Sequence, residues 1–392
     1  MSHLAARTKD YLTFQVVELF KQAQARQAAG HDIISMGIGE PDFTAPDAVL
    51  EALQRAARAG SSGYTAPAGI MPLREAIAGF YETQFGATVD PKRVIVTAGA
   101  SGALGLACAA LLDHGDEVLM PDPSYPANSN FILAAGGVPR LIPCSADERF
   151  QLTAQKVSEH WTDKTRGVLI ASPSNPTGTQ IARDELIEII ATVRALKGFI
   201  IMDEIYLGLT YDGTPASALT LDDDIIVINS FSKYFHMTGW RLGWLIVPET
   251  MTATIEKMAA SLAICAPTLS QHAALACFEP ESLAIFETRK QAFQDRRDFL
   301  LPAFAALGLS VPVTPDGAFY IYADITELGM SSMTFSHRLL TQADIAAVPG
   351  VDFGPAHGAH TVRFSYATSL PRLRTAVERM ADWLPKLKAE GA

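Results

Sequence analysis

The hydrophobic positions along this chain change character three times. Residues from about Tyr11 to Ala29 read as a surface-facing helix, and Asp32–Phe43 follows as an extended, Gly-rich stretch. From about position 47, short runs of Val and Ile alternate with helix-length segments. Strands are predicted over Val94–Thr97, Glu117–Met120, Val168–Ala171, Phe199–Met202 and Ile225–Asn229, each bounded by turn residues. Helices are predicted between them, including Ala100–Leu112 and Arg183–Leu196. Strands separated by helices form βαβ units, which implies an α/β fold with a mostly parallel sheet. The apolar runs are continuous rather than alternating, so these strands are expected to be covered on both faces. After about residue 265 the texture shifts to long helices with isolated strands at Phe319–Ala323, Ile345–Val348 and Thr361–Ser365. The expected organisation is a large region over 47–265 carrying the sheet. A smaller α/β region would be built from 266–392, with residues 1–46 contributing to it.

Composition narrows the class without naming a chemistry. A chain of 392 residues is long enough for two domains. Its formal charge of −11 opposes a nucleic-acid partner, because phosphate contacts need clustered Lys and Arg. The opening residues, MSHLAARTKDYL, show no apolar core followed by a small-residue cleavage site. No apolar run reaches the roughly 18 residues of a membrane span; Gly102–Leu112 reads better as a buried helix. Cys108, Cys144, Cys265 and Cys277 have no paired spacing, which suits reduced thiols better than a disulfide framework or a zinc site. The expectation is an acidic cytoplasmic protein with neither nucleic acid nor membrane as partner.

In an open parallel sheet, ligands bind beyond the carboxyl ends of the strands, so the residues after each predicted strand matter most. Val94–Thr97 is followed by Ala98-Gly-Ala-Ser-Gly102, small residues opening a helix whose free N–H groups suit an anion such as phosphate. Val168–Ala171 is followed by Ser172-Pro-Ser-Asn-Pro-Thr-Gly178, and Phe199–Met202 by Asp203-Glu-Ile-Tyr206. Ile225–Asn229 is followed by Ser230-Phe-Ser-Lys233, with Arg241 eight residues on. Singly, each has a structural reading: a tight turn, a Pro/Gly turn, a helix cap. Together they place an anion cradle, an amide, a carboxylate, a phenol, a lysine and an arginine on one rim. A buried lysine there is either paired or chemically used.

With these motifs in place, the chain resembles the aspartate-aminotransferase-like family of pyridoxal-phosphate enzymes, aminotransferase class I/II. The resemblance runs from about Ile34 to the C-terminus and rests on Gly-Glu-Pro-Asp-Phe at 39–43, Asn-Pro-Thr-Gly at 175–178, Asp-Glu-Ile-Tyr at 203–206 and Ser-Phe-Ser-Lys at 230–233. It implies the fold of that family and amino transfer between an L-amino acid and a 2-oxo acid by a ping-pong mechanism. It also implies a homodimer with shared active sites and pyridoxal 5′-phosphate as cofactor. By resemblance, Lys233 carries the cofactor as a Schiff base and shuttles the substrate proton. Asp203 pairs with the pyridine nitrogen, Asn175 and Tyr206 with the phenolic oxygen, and Tyr125 stacks on the ring. Ala100, Ser101, Ser230, Ser232 and Arg241 would hold the phosphate, with Tyr64 reaching the phosphate of the neighbouring subunit. Arg363 would clamp the substrate α-carboxylate, assisted by Asn175 and by the backbone N–H of Gly39.

Departures from the family pattern concern the substrate. Ser101 stands where some aspartate-specific relatives carry lysine, and Tyr125 where some carry tryptophan. No local Arg or Lys motif marks a receptor for a side-chain carboxylate, so alanine or a branched-chain amino acid is as well supported as aspartate. A carbon–sulfur lyase or decarboxylase on the same scaffold is the alternative, with an aminotransferase-like transcription regulator more remote. His357 and His360 read as part of a flexible or substrate-facing loop rather than a metal pair. Asp222–Asp224 reads as a solvated turn, and His236 receives no role.

Overall fold

The computed structural model describes residues 4–12 and 15–390. Its strands are β1 (Ile34–Ser35), β2 (Val94–Thr97), β3 (Glu117–Asp122), β4 (Val138–Pro143), β5 (Thr165–Ala171), β6 (Phe199–Asp203), β7 (Ile226–Ser230), β8 (Gly243–Ile246), β9 (Tyr320–Asp324), β10 (Ile345–Ala346), β11 (Val348–Pro349) and β12 (Thr361–Ser365). The central sheet has the order β2-β8-β7-β6-β5-β3-β4. Its pairings are parallel except those of β8, which runs antiparallel to both β2 and β7.

The continuous apolar runs have a simple cause in this sheet. Successive strand residues point to opposite faces. Val94, Val96, Val168, Ile170, Ile200 and Met202 enter one core, while Ile95, Leu169, Ile201, Ile226 and Ile228 enter another on the other side. Helices lie against both faces, so neither set of side chains meets water. The fold is α/β with a mostly parallel sheet flanked by helices.

Two strands of the central sheet are absent from the sequence prediction. β4 is an edge strand with an interrupted burial pattern, and it carries Pro139, Arg140 and Pro143. Proline is tolerated at an edge but hides the strand signal. β8 has only four residues and lies within a Gly- and Trp-rich run. The C-terminal strands are not isolated as expected. β11, β12 and β9 form an antiparallel sheet, and the predicted Ile345–Val348 strand divides at Ala347 so that β10 pairs with β1. The predicted N-terminal helix is observed as Gln15–Ala28, with positions 13 and 14 outside the described residues.

Sequence-distant segments are tied together at that junction. Ile34 pairs with Ile345, Arg26 lies 2.8 Å from Asp344, and Arg372 and Arg379 lie 2.8 and 2.6 Å from Asp32. Among the described residues no helix is long and apolar enough to cross a membrane.

Candidate functional site

The sheet order explains how the motifs meet. β5, β6 and β7 are neighbours and parallel, so the residues after them share one rim: Asn175, Asp203 with Tyr206, and Ser230 to Lys233. β8 lies between β7 and β2, and this brings Arg241, just before β8, beside the start of the helix Gly99–Leu111. A cavity of about 470 Å³ opens there. Its walls include Gly39, Ala100, Ser101, Tyr125, Asn175, Asp203, Tyr206, Ser232, Lys233, Arg241 and Arg363. Ser230 is one step behind the wall, its Oγ 2.9 Å from Ser232 Oγ and 3.0 Å from the Leu242 carbonyl. Tyr64 is not brought in; it is 82% exposed on the outer surface of the chain.

Charge is unevenly matched inside the cavity. Asp203 is buried, and its Oδ1 accepts the Ile205 N–H at 3.1 Å. Burial pushes its carboxyl up to about 6, against the backbone hydrogen bond and the pull of Lys233. Lys233 donates from Nζ to the Gly39 carbonyl oxygen. Loss of solvent, followed by the nearby Arg363 cation, lowers its amine to about 8 despite the opposing Glu40 and Asp203. This lysine is therefore far easier to deprotonate than a free one.

Arg363 is held rigidly from several sides. Its Nη1 donates to Asn175 Oδ1 at 2.8 Å and its Nη2 to the Gly37 carbonyl at 2.6 Å. The guanidinium stacks 4.4 Å from the Tyr320 ring centroid and 4.9 Å from that of Phe353. Its Nε is buried with no hydrogen-bond partner, a donor available to an anion. Tyr206 and Tyr320 share a hydrogen bond of 2.8 Å between their hydroxyls.

Gly99 makes the approach of Arg241 possible. It has φ +75°, and a Cβ there would stand 2.7 Å from Arg241 Nη2. Arg241 itself is left-handed at φ 51°. Gly99→Ala is expected to destabilise the protein by about 1–3 kcal/mol, measured as a lower urea midpoint with an unchanged slope.

Several residues on the cavity wall were missed by sequence reasoning. Tyr320 lies at the edge of a predicted strand, but which cavity that strand faces depends on how the C-terminal region folds back. Gly37, Phe353 and Asp352, together with Val16, Val17 and Phe20 of the first helix, also line the cavity or bind its residues. For Val16, Val17 and Phe20 the only signal was a helix read as surface-facing, and for Gly37 a Gly-rich extended stretch.

The residues set aside have clear surroundings. Asp222 and Asp223 are not simply solvated: Arg194 and Arg93 reach them at 2.6 and 2.8 Å. His357 is fixed rather than flexible, its Nε2 2.8 Å from the Cys144 carbonyl and its ring edge-on to Phe150. His236 is buried between Phe43, Phe286 and Phe293, and its ring nitrogens have no partner. Burial, then the nearby arginines 289 and 296, push it down to about 3, so it packs as a neutral ring. The four cysteines are unpaired.

Comparison with known proteins points the same way as the geometry. A family model described as aminotransferase class I and II matches residues 31–380. The chain is 38% identical to a valine–pyruvate aminotransferase of Mycobacterium tuberculosis, covering 95% of this chain and 96% of that one. It is 35% identical to an aspartate aminotransferase of Thermotoga maritima, covering 94% and 96%. A crystal structure of an aminotransferase from Mycobacterium tuberculosis superimposes with a TM-score of 0.94 at 37% identity, covering 98% of this chain and 100% of that one.

Proposed function

This chain belongs to the class I and II aminotransferases, and on that premise we propose that it moves an amino group from an L-amino acid to a 2-oxo acid in two half-reactions. Pyridoxal 5′-phosphate, on which enzymes of this family depend, would be held at Lys233. The observation that carries this reading is the meeting of buried Asp203, low-pKa Lys233 and rigid Arg363 in one cavity.

The residues present fit that cofactor. Burial penalises the charge of Asp203, and a protonated pyridine nitrogen would relieve the penalty. The free N–H groups at Ala100 and Ser101, the hydroxyls of Ser101 and Ser232, and the Arg241 guanidinium are a donor set suited to phosphate, with Ser230 behind them hydrogen-bonded to Ser232. Tyr125 would cover the ring face, and Asn175 and Tyr206 would meet the phenolic oxygen. Tyr64, exposed and outside its own cavity, is assigned to the phosphate of a second copy in a homodimer with shared sites.

When bound, the cofactor supplies an electron sink for the pair left at substrate Cα. The chain's residues supply the rest. Arg363 takes the α-carboxylate, using the unpartnered Nε and a guanidinium plane fixed by Asn175 and the Gly37 carbonyl. Gly39 lies on the same wall. Lys233, once its amine is free, would be the base that takes the substrate Cα proton and the acid that gives it back. Its lowered pKa keeps a neutral fraction available near neutral pH.

The amine must be neutral to capture the cofactor's aldehyde, which gives a pH dependence. Because the Lys233 pKa is lowered from 10.5 to about 8, capture by the cofactor-free protein is expected to rise with pH through about 8 and level off above it. Stopped-flow absorbance of cofactor addition checks this; a rate still rising steeply at pH 10 would rule it out. Transamination itself is tested by adding an L-amino acid to the loaded enzyme. The aldehyde form should convert to the amine form, and a 2-oxo acid should reverse it. Release of ammonia or carbon dioxide without that reversal would favour a lyase or decarboxylase.

A further inference from the structure

The proposed transamination leaves the substrate's side chain open, and the cavity wall built by the first helix and the C-terminal strands bears on it. The inference below rests on that transaminase reading. Val16, Val17 and Phe20 of the helix Gln15–Ala28 line the cavity, together with Ile38, Val348 and Phe353. All six are apolar. The cations on the cavity wall are Lys233, Arg241 and Arg363. Arg241 sits against Gly99 at the start of a helix, and Lys233 and Arg363 are bonded to main-chain and amide oxygens of the site. Lys233 and Arg241 lie away from the apolar wall; Arg363 borders it, its guanidinium 4.9 Å from the Phe353 ring, but is turned to the Asn175 and Gly37 oxygens that hold it for the α-carboxylate.

A carboxylate also lies on this side. Asp352 is buried, its Oδ1 accepting the Gln15 N–H at 2.8 Å and its Oδ2 the Val16 N–H at 2.8 Å. These are free N–H groups of a helix's first turn, where a carboxylate is held by hydrogen bonds and by the helix dipole. Asp352 thus fixes the start of the helix immediately beside Val16 and Val17. A second tether acts on the same segment, since Leu12 N–H donates to Asn130 Oδ1 at 2.9 Å and its carbonyl accepts from Asn130 Nδ2 at 3.3 Å. A substrate bearing a second carboxylate would find apolar carbon and the Asp352 anion there and, among the described residues on the wall, no cation beyond Lys233, Arg241 and Arg363, which the site already engages.

We infer that the cavity selects amino acids with an uncharged apolar side chain, roofed by Val16, Val17 and Phe20. Asp352 is the positioning residue that holds this roof and disfavours acidic side chains.

The test uses the cofactor-loaded enzyme and its first half-reaction, so that no acceptor enters the comparison. Saturation curves are measured for L-valine, L-leucine and L-phenylalanine against L-aspartate and L-glutamate. The best apolar donor is expected to exceed both acidic ones in specificity constant by at least about tenfold. An acidic donor equal to the best apolar one overturns the inference while leaving transamination standing. Failure of every amino acid to convert the cofactor overturns the transaminase reading, and this inference falls with it. Val17 is 49% exposed on its helix, so Val17→Arg is accommodated by the fold while adding a cation to the roof. It should raise the specificity constant for aspartate relative to valine by at least about tenfold. Asp352→Asn keeps one acceptor and sets an N–H₂ against a backbone N–H. It should raise KM for valine severalfold with kcat nearly unchanged. A fall in kcat at constant KM would mean only less folded enzyme, and would remove Asp352 from the selection of substrate.

Discussion

Lys233→Ala is expected to slow the amino-acid half-reaction by at least about four orders of magnitude. The substitution removes both the covalent anchor of the cofactor and the base that moves the Cα proton. Lys233 lies on a cavity wall rather than in either apolar core, so the loss should not be one of folding. The variant should still take up the cofactor through the phosphate donors around Ser101, Ser232 and Arg241, but without the visible absorption of the lysine-linked form. Single-turnover absorbance with a good amino donor measures the effect. A half-reaction within about tenfold of the parent would remove Lys233 from the chemistry.

Asp203→Asn is the second large effect. The side chain keeps its shape but loses the anion that favours a protonated ring nitrogen. A drop of about 10² to 10³ in kcat is expected, the scale seen when one preorganised electrostatic partner is deleted. Burial raises Asp203 to about 6 despite the Ile205 N–H and Lys233, so the chain places this charge at a cost that a cation facing it would offset further. Steady-state rates, read together with the absorbance of the bound cofactor across pH, separate loss of chemistry from loss of binding. A near-normal kcat in the asparagine variant would break the proposed pairing.

The first five predicted strands were legible because each is a short Val/Ile run, and the structure extends or shifts them by no more than about three residues. Those runs buried side chains on both faces, a pattern that survives without any knowledge of neighbours. Edge strand β4 was not legible, since Pro139 and Arg140 face partial solvent and break the apolar run. The cavity residues contributed by the strand ends, from Ala100 to Arg241, could be read from motifs placed after predicted strands. Tyr320, Phe353, Asp352 and the roof residues could not. Their place in the cavity depends on long-range pairings, Ile34 with Ile345 and Val348 with Arg363, that no local pattern encodes. Asp352 in particular reads in sequence as an ordinary loop acid. Only the fold brings it to the N–H groups of residues 15 and 16, more than three hundred positions away.

If Lys233 carries the cofactor, the loaded enzyme holds a reducible C=N linkage at that residue. Borohydride reduction of the loaded enzyme makes that linkage permanent, and proteolysis with mass spectrometry then locates it. One labelled peptide is expected, containing Lys233, with labelling lost when the enzyme is first converted with an excess of amino donor. Label on a different lysine, or no label on a protein that binds pyridoxal 5′-phosphate, would contradict that assignment.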